Sequence, residues 1–316
     1  MSTAPATAVS QPSRIPVDAP AVSRWERFSF SVIHGVGGAL FKMLGLSGLY
    51  AAGRAFGTLE WLINFKRRRR FAVAYQEVCE RRPPSGVRLR TGREYFMSSR
   101  CDKLFYLIFD WIPRARAETL LTIVHRDRLD AAVARGRGVY VGLAHHGPHH
   151  VIGLLIPLWG YKVAGVRDGQ EGGIRRFVQE RYDRKYPEFQ RGRILHSDSF
   201  PREIYRSLRE GTILGSAMDV SRVRQGHQKC EEVTVFGRSR PYLTGPLWIA
   251  VRCRVPILQA FIVPERNFRY RVEILELHAD PDTIHDEAAA VSACVHRYAE
   301  NVEQYARTYP SLLTRV

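Results

Sequence analysis

The sequence has few cysteines, and none of them is paired in a short motif. Its five cysteines are widely separated, and no CxxC motif occurs. An odd number of widely spaced cysteines is typical of reduced thiols in a cytoplasmic protein, not of a disulfide framework. We therefore expect free thiols at Cys79, Cys101, Cys230, Cys253 and Cys294.

Several common functional motifs are also missing. There is no Gly-x-Ser-x-Gly segment, which argues against a serine hydrolase. The short sequence Gly136-Arg-Gly138 leads into a predicted strand instead of following one, so it does not fit a dinucleotide-binding loop. No helix-turn-helix, zinc finger or aromatic single-strand platform accompanies the basic residues, which argues against nucleic-acid binding.

Acidic residues are scarce relative to basic ones. The chain has 31 Asp and Glu against 48 Lys and Arg, giving a formal charge of +17. A basic excess of this size indicates an acidic partner. Anionic lipid headgroups, a phosphorylated substrate, an acidic carrier protein and nucleic acid all satisfy this condition, and charge alone does not choose among them.

The chain divides into three parts by composition. Residues 1–24 are rich in Ala, Pro, Ser and Thr and lack a cleavable-signal pattern, so we expect a disordered tail. Residues 25–70 are apolar and then basic, with five consecutive cations at 66–70. Residues 71–316 have the length and the hydrophobic content of one large α/β domain.

The second part, residues 25–70, is predicted to associate with a membrane through helices. Charged residues interrupt its apolar stretches, so it is not a clear membrane span. A basic cluster directly after an apolar segment is attracted to anionic cytoplasmic lipid surfaces. We expect a monotopic anchor. The alternative is a pair of core helices followed by a solvated run of charge.

From about residue 124 the pattern alternates between strands and helices. Such alternation predicts an α/β fold with a mixed, largely parallel sheet covered by helices on both faces. The predicted helices are 129–134, 151–159, 174–186, 201–209 and 284–307. The predicted strands are 138–144, 161–166, 212–218, 255–263 and 271–277.

Three of these strands end at residues suited to chemistry. His145, Arg167 and Asp219 each follow an apolar strand, and open α/β sheets build sites at the carboxyl ends of their strands. Histidine is the side chain best suited to take a proton from a hydroxyl near neutral pH. The alternative is that Arg167 and Asp219 are surface ion-pair partners and that His145 is a turn residue.

Four histidines within six residues also raise the question of a metal site. His145 and His149, and likewise His146 and His150, are four residues apart, as ligands on one helix face would be. Gly147-Pro148 disfavours a continuous helix between them, and no neighbouring carboxylate motif completes a site. We therefore predict no metal.

The order of these features resembles the bacterial lipid A biosynthesis (lauroyl/myristoyl) acyltransferases of the lysophospholipid-acyltransferase superfamily. The resemblance runs from about Trp25 to the C-terminus. It comprises the apolar segment, the basic residues, the His block, Arg167, Asp219 and the segment from Val235 to Pro246, which contains Phe-Gly and Thr-Gly-Pro. The family signature is His-x4-Asp/Glu, whereas this chain has His150 at the position of the acid.

The resemblance implies roles for individual residues. His145 would be the general base, and His150 would replace the acid that orients it. Asp219 would support the electrostatics of the site. Arg167 and Arg238 would bind a phosphate of the acceptor or the pantetheine arm of the donor, since guanidinium matches phosphate bidentately. Gly237, Thr244 and Gly245 belong to the segment from Val235 to Pro246. They would form part of the wall of the site near the thioester carbonyl.

The implied activity is transfer of a fatty acyl group from a thioester to a hydroxyl of a lipid or glycolipid, such as a lipid A precursor. Acyl carrier protein or coenzyme A would carry the acyl group as a co-substrate, and no other cofactor is expected. The expected location is the cytoplasmic face of the inner membrane. The alternative is a catalytically impaired relative that binds lipid or acyl carrier without turnover, which the replaced acid would favour.

Overall fold

The fold is defined by a computed structural model that describes residues 23–79, 83–167, 173–196, 201–219, 229–276 and 278–314. Most of the predicted tail, residues 1–22, lies outside the described residues. Its last residue, Arg24, begins the first helix.

Ten α-helices are described in this part of the chain. The first four precede the sheet and the others lie between or after its strands. They are α1 (Arg24–Ile63), α2 (Phe65–Val78), α3 (Ser85–Ile108), α4 (Arg114–Glu118), α5 (Arg126–Ala134), α6 (His149–Leu155), α7 (Gly173–Lys185), α8 (Pro201–Arg209), α9 (Gly245–Arg252) and α10 (Glu287–Thr308).

Nine strands are described, seven of them in one sheet. They are β1 (Leu121–Val124), β2 (Val139–Leu143), β3 (Val163–Arg167), β4 (Arg193–His196), β5 (Ile213–Ser216), β6 (Cys230–Val235), β7 (Arg238–Leu243), β8 (Ile257–Pro264) and β9 (Tyr270–Ile274). The sheet order is β1-β9-β8-β2-β5-β3-β4, and β6 and β7 form a separate antiparallel hairpin. All neighbours in the sheet are parallel except β8 and β9.

Helices cover both faces of this sheet. Along β2, the side chains of Val139 and Val141 belong to one hydrophobic core and that of Tyr140 to the other. This alternation arises because successive side chains of a strand point to opposite faces. The first core includes residues of α3 and α7, and the second includes residues of α9 and α10. The predicted mixed, largely parallel α/β fold is therefore confirmed.

The predicted elements match the structure closely where the apolar pattern is long. Helix α8 has the predicted bounds, and α10 begins and ends within three residues of its prediction. Asp286 fixes the start of α10, because its carboxylate accepts the backbone N–H groups of Ala288 and Ala289. Strands β1, β4, β6 and β7 are not among the predicted strands.

Helix α1 is the one helix among the described residues that is long and apolar enough to cross a membrane, judged by length and composition. It has 40 residues, and a non-helical backbone conformation at Gly45 divides it. The basic run 66–70 lies within α2 and is not the end of a separate segment, because α2 continues to Val78.

Helix α1 packs closely along α3. A Cβ atom at Gly57 would lie 2.4 Å from the Cα atom of Met97, and one at Gly53 would lie 2.9 Å from a methyl group of Leu104. The absence of side chains at these glycines lets the two helices approach each other. The opposite side of α1 carries exposed apolar side chains: Trp25, Phe28, Val32, Ile33, Val36, Met43, Leu44, Phe56, Leu59, Leu62 and Ile63.

Candidate active site

The centre of the candidate site is a contact between His145 and Asp219. Strands β2 and β5 are parallel neighbours, and Gly142 of β2 lies opposite Ser216 of β5. His145 and Asp219 each come three residues after this pair, so the strand register brings them together at the carboxyl edge of the sheet. The Nδ1 atom of His145 lies 3.0 Å from Oδ1 of Asp219, and its backbone N–H donates to Oδ2 at 2.9 Å.

The carboxylate of Asp219 is stabilised in its ionised form. Burial opposes its ionisation, but the hydrogen bonds from His145 and the charge of the imidazole ring outweigh burial. With the Tyr298 hydroxyl, they hold the pKa of Asp219 below its ordinary value. The Tyr298 oxygen lies 2.9 Å from Oδ1 of Asp219 and 2.8 Å from the carbonyl oxygen of Leu143.

The turn after β2 is fixed by Gly147. Its φ of +64° lies in the left-handed region, and a Cβ there would lie 2.8 Å from the carbonyl oxygen of Ile262. Its N–H donates to the carbonyl oxygen of Leu312 at 2.7 Å. The hydroxyl of Thr314 donates to the carbonyl oxygen of His145. The C-terminal residues thus hold this turn in place.

Two neighbouring histidines are held neutral by their surroundings. His146 is 4% exposed, its Nε2 lies 3.2 Å from the carbonyl oxygen of Tyr309, and burial lowers its pKa to about 4. The ring of His149 lies 4.9 Å from that of His145. Burial lowers the pKa of His149 well below its ordinary value, and the rings of His145 and His150 lower it further.

His150 does not take the role expected of it. Its Nε2 atom lies 3.2 Å from Oδ1 of Asp102 on α3, whereas Nδ1 of His145 contacts Asp219. The reason is that His150 belongs to the first turn of α6, while Asp219 reaches His145 directly from the adjacent strand. The side chain that contacts Nδ1 of His145 is therefore that of Asp219, not that of His150.

A large cavity lies beside these residues. Its volume is about 2500 Å³, and its lining includes His145, His149, His150 and Asp102. The wall formed by α9 includes Gly245 and Trp248. Since the side chain of His145 is 18% exposed, its imidazole is neither sealed in the core nor fully open to solvent. The site therefore has a partly sheltered imidazole with a large space next to it.

Three other predicted site residues lie near this edge of the sheet or at the cavity wall. Arg167 is the last residue of β3, which pairs with β5, so its backbone lies one strand away from Asp219. Thr244 is 1% exposed and precedes α9, and its N–H donates to the carbonyl oxygen of Lys229 at 2.9 Å. Thr244 therefore supports the start of α9, while Gly245 contributes to the cavity wall.

Two other predicted site residues lie elsewhere, which corrects the sequence interpretation. Gly237 and Phe236 have φ angles of +72° and +50°, as a tight hairpin turn between β6 and β7 requires. Arg238 follows this turn and forms an ion pair of 2.8 Å with Glu77 on α2. Neither Gly237 nor Arg238 lines the cavity, because the hairpin carries them away from the sheet edge.

Sequence reasoning missed Asp102 and Tyr298 as site residues. Tyr298 lies within the predicted closing helix and Asp102 within α3, so neither carries a strand-end signal. Within the described ranges, no three His, Cys, Asp or Glu side chains form a group suited to a metal ion. All five cysteines are free thiols.

No protein-family model matches this chain, and no curated protein matches its sequence.

Proposed function

We propose that this protein is an acyltransferase that moves a fatty acyl group from a thioester to a hydroxyl of a lipid or glycolipid. The observation that carries the proposal is the contact of His145 with Asp219 beside a cavity of about 2500 Å³. A histidine whose Nδ1 is held by a carboxylate presents Nε2 as a base. Asp219, which follows the neighbouring strand β5, can supply the acid that the His-x4-acid signature lacks, and this favours the proposal over an inactive relative.

In the proposed reaction, Nε2 of His145 takes the proton of the acceptor hydroxyl as its oxygen attacks the thioester carbonyl. The tetrahedral intermediate collapses, the carbon–sulfur bond breaks, and the imidazolium returns its proton to the departing thiolate. Asp219 keeps the Nδ1–H tautomer and stabilises the imidazolium. Its lowered pKa keeps it ionised at neutral pH.

The surrounding histidines favour this role. A second positive charge next to His145 would oppose formation of its imidazolium. The lowered pKa values of His146 and His149 keep both rings neutral at pH 7, and Asp102 lies beside His150 to offset any charge on it.

The proposed location is the cytoplasmic face of the inner membrane. The exposed apolar side of α1 supports attachment to a lipid surface, and its packing along α3 supports a monotopic arrangement over a span. The donor is acyl carrier protein or a coenzyme A thioester, and the basic excess of the chain suits both acidic partners. The acceptor is a membrane lipid or glycolipid such as a lipid A precursor.

Replacement of the two central residues tests this proposal. Acyl transfer from a radiolabelled acyl thioester to membrane lipids should be abolished in His145→Ala. It should fall roughly 10²–10⁴-fold in Asp219→Asn, because the amide cannot stabilise the imidazolium. The control is Asp102→Asn, which removes a carboxylate of the same cavity that does not contact His145. Its transfer rate should stay within about tenfold of wild type.

Wild-type acyl transfer by His145→Ala would refute the assignment of the base. A purified wild-type protein that transfers no acyl group to any membrane lipid, but still binds acyl carrier, would favour the non-catalytic alternative. A greater loss in Asp102→Asn than in Asp219→Asn would reassign the orienting acid.

A further inference from the structure

Away from His145, three cations gather where α1, α2 and α3 meet. Arg67 of α2 and Arg100 of α3 both contact Glu60 of α1, at 2.9 Å and 2.6 Å. Lys103 lies one turn beyond Arg100, on the same face of α3. All four residues line the cavity that contains His145.

This group has more positive than negative charge. Among the described residues, Glu60 is the one carboxylate that pairs with either arginine. Asp102, which lies beside His150, also acts electrostatically on Lys103, whereas Glu94 pairs with Arg54. Three cations against two carboxylates leave one positive charge in excess.

Lys103 carries the most accessible part of this excess. No carboxylate in the described residues lies within ion-pairing distance of its Nζ. Partial loss of water around the ammonium group, together with the charges of Arg100 and Arg67, outweighs the opposing effect of Glu60 and Asp102 and lowers the pKa of Lys103. An anion bound there would relieve this repulsion.

The arginines are placed to bind an anion with Lys103. Arg67 is held by Glu60, by Ser99 at 2.8 Å and by the Tyr95 hydroxyl at 3.2 Å. Arg100 donates its Nε–H to Glu60, and its Nη groups make no hydrogen bond within the part of the chain that the structure describes. The guanidinium group of Arg67 is therefore held in place, and that of Arg100 has open N–H donors. Next to the ammonium group of Lys103, these groups suit the oxygens of a phosphate.

The cavity is also lined by apolar side chains of α1. Four of its lining residues on α1 are exposed hydrophobic side chains, between 47% and 66% accessible: Ile33, Phe56, Leu59 and Ile63. A free inorganic anion gains no binding free energy from these apolar side chains, because it has no hydrocarbon to bury against them. A molecule with an anionic headgroup and hydrocarbon chains would contact both the cations and the apolar side chains.

We propose that Arg67, Arg100 and Lys103 form a binding site for the phosphate group of an anionic amphiphile that enters the cavity along the exposed side of α1. The identification of this amphiphile with the acyl acceptor rests on the proposed function, whereas the binding site does not. These three residues would have the phosphate-binding role that the resemblance gave to Arg238, since Arg238 is paired with Glu77 outside the cavity.

Calorimetric titration of the full-length protein in neutral detergent micelles tests the site. The probes are dioctanoyl phosphatidic acid and inorganic phosphate. Lys103→Met should weaken binding of phosphatidic acid by about tenfold, since a charge-assisted contact is lost. Lys103→Arg should restore most of the affinity. The matched control is Arg90→Gln, which removes an exposed charge from α3 outside the cavity.

Unchanged binding of phosphatidic acid by Lys103→Met would overturn the proposal, as would an equal loss in Arg90→Gln, which would indicate a general charge effect. Inorganic phosphate should bind at least about 100-fold more weakly, because it cannot bury apolar surface. Equal affinity for both probes would overturn the lipid assignment in favour of free phosphate. His145→Ala should bind phosphatidic acid like wild type, so failure of acyl transfer and failure of this site are separate results.

Discussion

At the scale of single residues, the site depends on which histidines can take up a proton. Four of them lie within six positions, yet their surroundings differ. His145 has a carboxylate at Nδ1 and faces the cavity, His146 and His149 are kept neutral by burial, and His150 lies beside Asp102. One sequence motif therefore contains side chains with different chemical properties.

The burial of His146 predicts a pH dependence of stability. Its folded pKa of about 4 is below the ordinary value of 6.5, so between these values the unfolded chain binds more protons than the folded one. Stability therefore falls as the pH decreases from 6.5 towards 4. From pH 7 to pH 5 this residue should contribute a loss of about 2 kcal/mol in the free energy of unfolding.

Urea unfolding of wild type and His146→Gln at pH 7 and pH 5, in the same detergent, measures this contribution. The glutamine is neutral at both pH values and keeps an N–H donor for Tyr309. Its stability loss between the two pH values should be smaller than that of wild type by about 2 kcal/mol. His285→Gln, at an exposed histidine, should leave the pH dependence as it is. Identical pH dependence in wild type and His146→Gln would contradict the neutral state of His146.

At the scale of secondary-structure elements, the contact between α1 and α3 joins the N-terminal apolar segment to the rest of the chain. This contact depends on glycines, because a side chain at Gly57 would meet the backbone of α3. Cores and helix contacts at this density respond to a single added methyl group. The position of α1 along the cavity therefore depends on a few small residues.

Two Gly→Ala replacements in α1 should have opposite effects. Gly57→Ala should destabilise the protein by about 1–3 kcal/mol, because the new methyl group forces the helices apart. Gly35 has nothing within 4 Å of the place where its Cβ would be. Gly35→Ala should be neutral or stabilise by up to about 1 kcal/mol through helix propensity. Thermal unfolding of both variants measures the difference, and an equal shift in their Tm values would refute the close α1–α3 contact.

The sequence predicted these elements unevenly, for physical reasons. Helix α8 can be recognised from Pro201 in its first turn and Gly211 just beyond its end, which are local signals. Strand β4 has only two apolar residues, between Arg193 and His196, which is too short a run to be distinguished from a loop.

The site was predicted in part. His145 and Asp219 were recognised as strand ends, but their contact depends on β2 and β5 being adjacent, which no local pattern encodes. The same limit explains why His150 was assigned the orienting role and why Asp102, which comes from a distant helix, was missed.

At the scale of the whole molecule, the exposed apolar side of α1 gives the protein one surface unlike the others. The basic run in α2 adds exposed cations, among them Arg69 and Arg70. Apolar insertion and electrostatic attraction would then act together on an anionic bilayer. The two contributions differ in their response to salt, because only the electrostatic one is screened.

Sedimentation with anionic vesicles across a salt series separates these contributions. The double variant Val32→Glu/Val36→Glu places two charges on the exposed side of α1 and should reduce vesicle binding at least about tenfold at every salt concentration. Arg69→Gln/Arg70→Gln should weaken binding at low salt only. Wild-type sedimentation of the glutamate variant would mean that α1 does not enter the lipid.

His145 and Asp219 follow two different strands, β2 and β5, and this affects when their contact can form during folding. The two residues are 74 positions apart in the chain, and nothing but correct pairing of β2 with β5 brings them together. A base and acid within one turn could assemble early, in a partly folded chain. Here a shift of either strand by a single residue would separate the pair, so the contact proposed to be catalytic forms only once the centre of the sheet has closed in its native alignment.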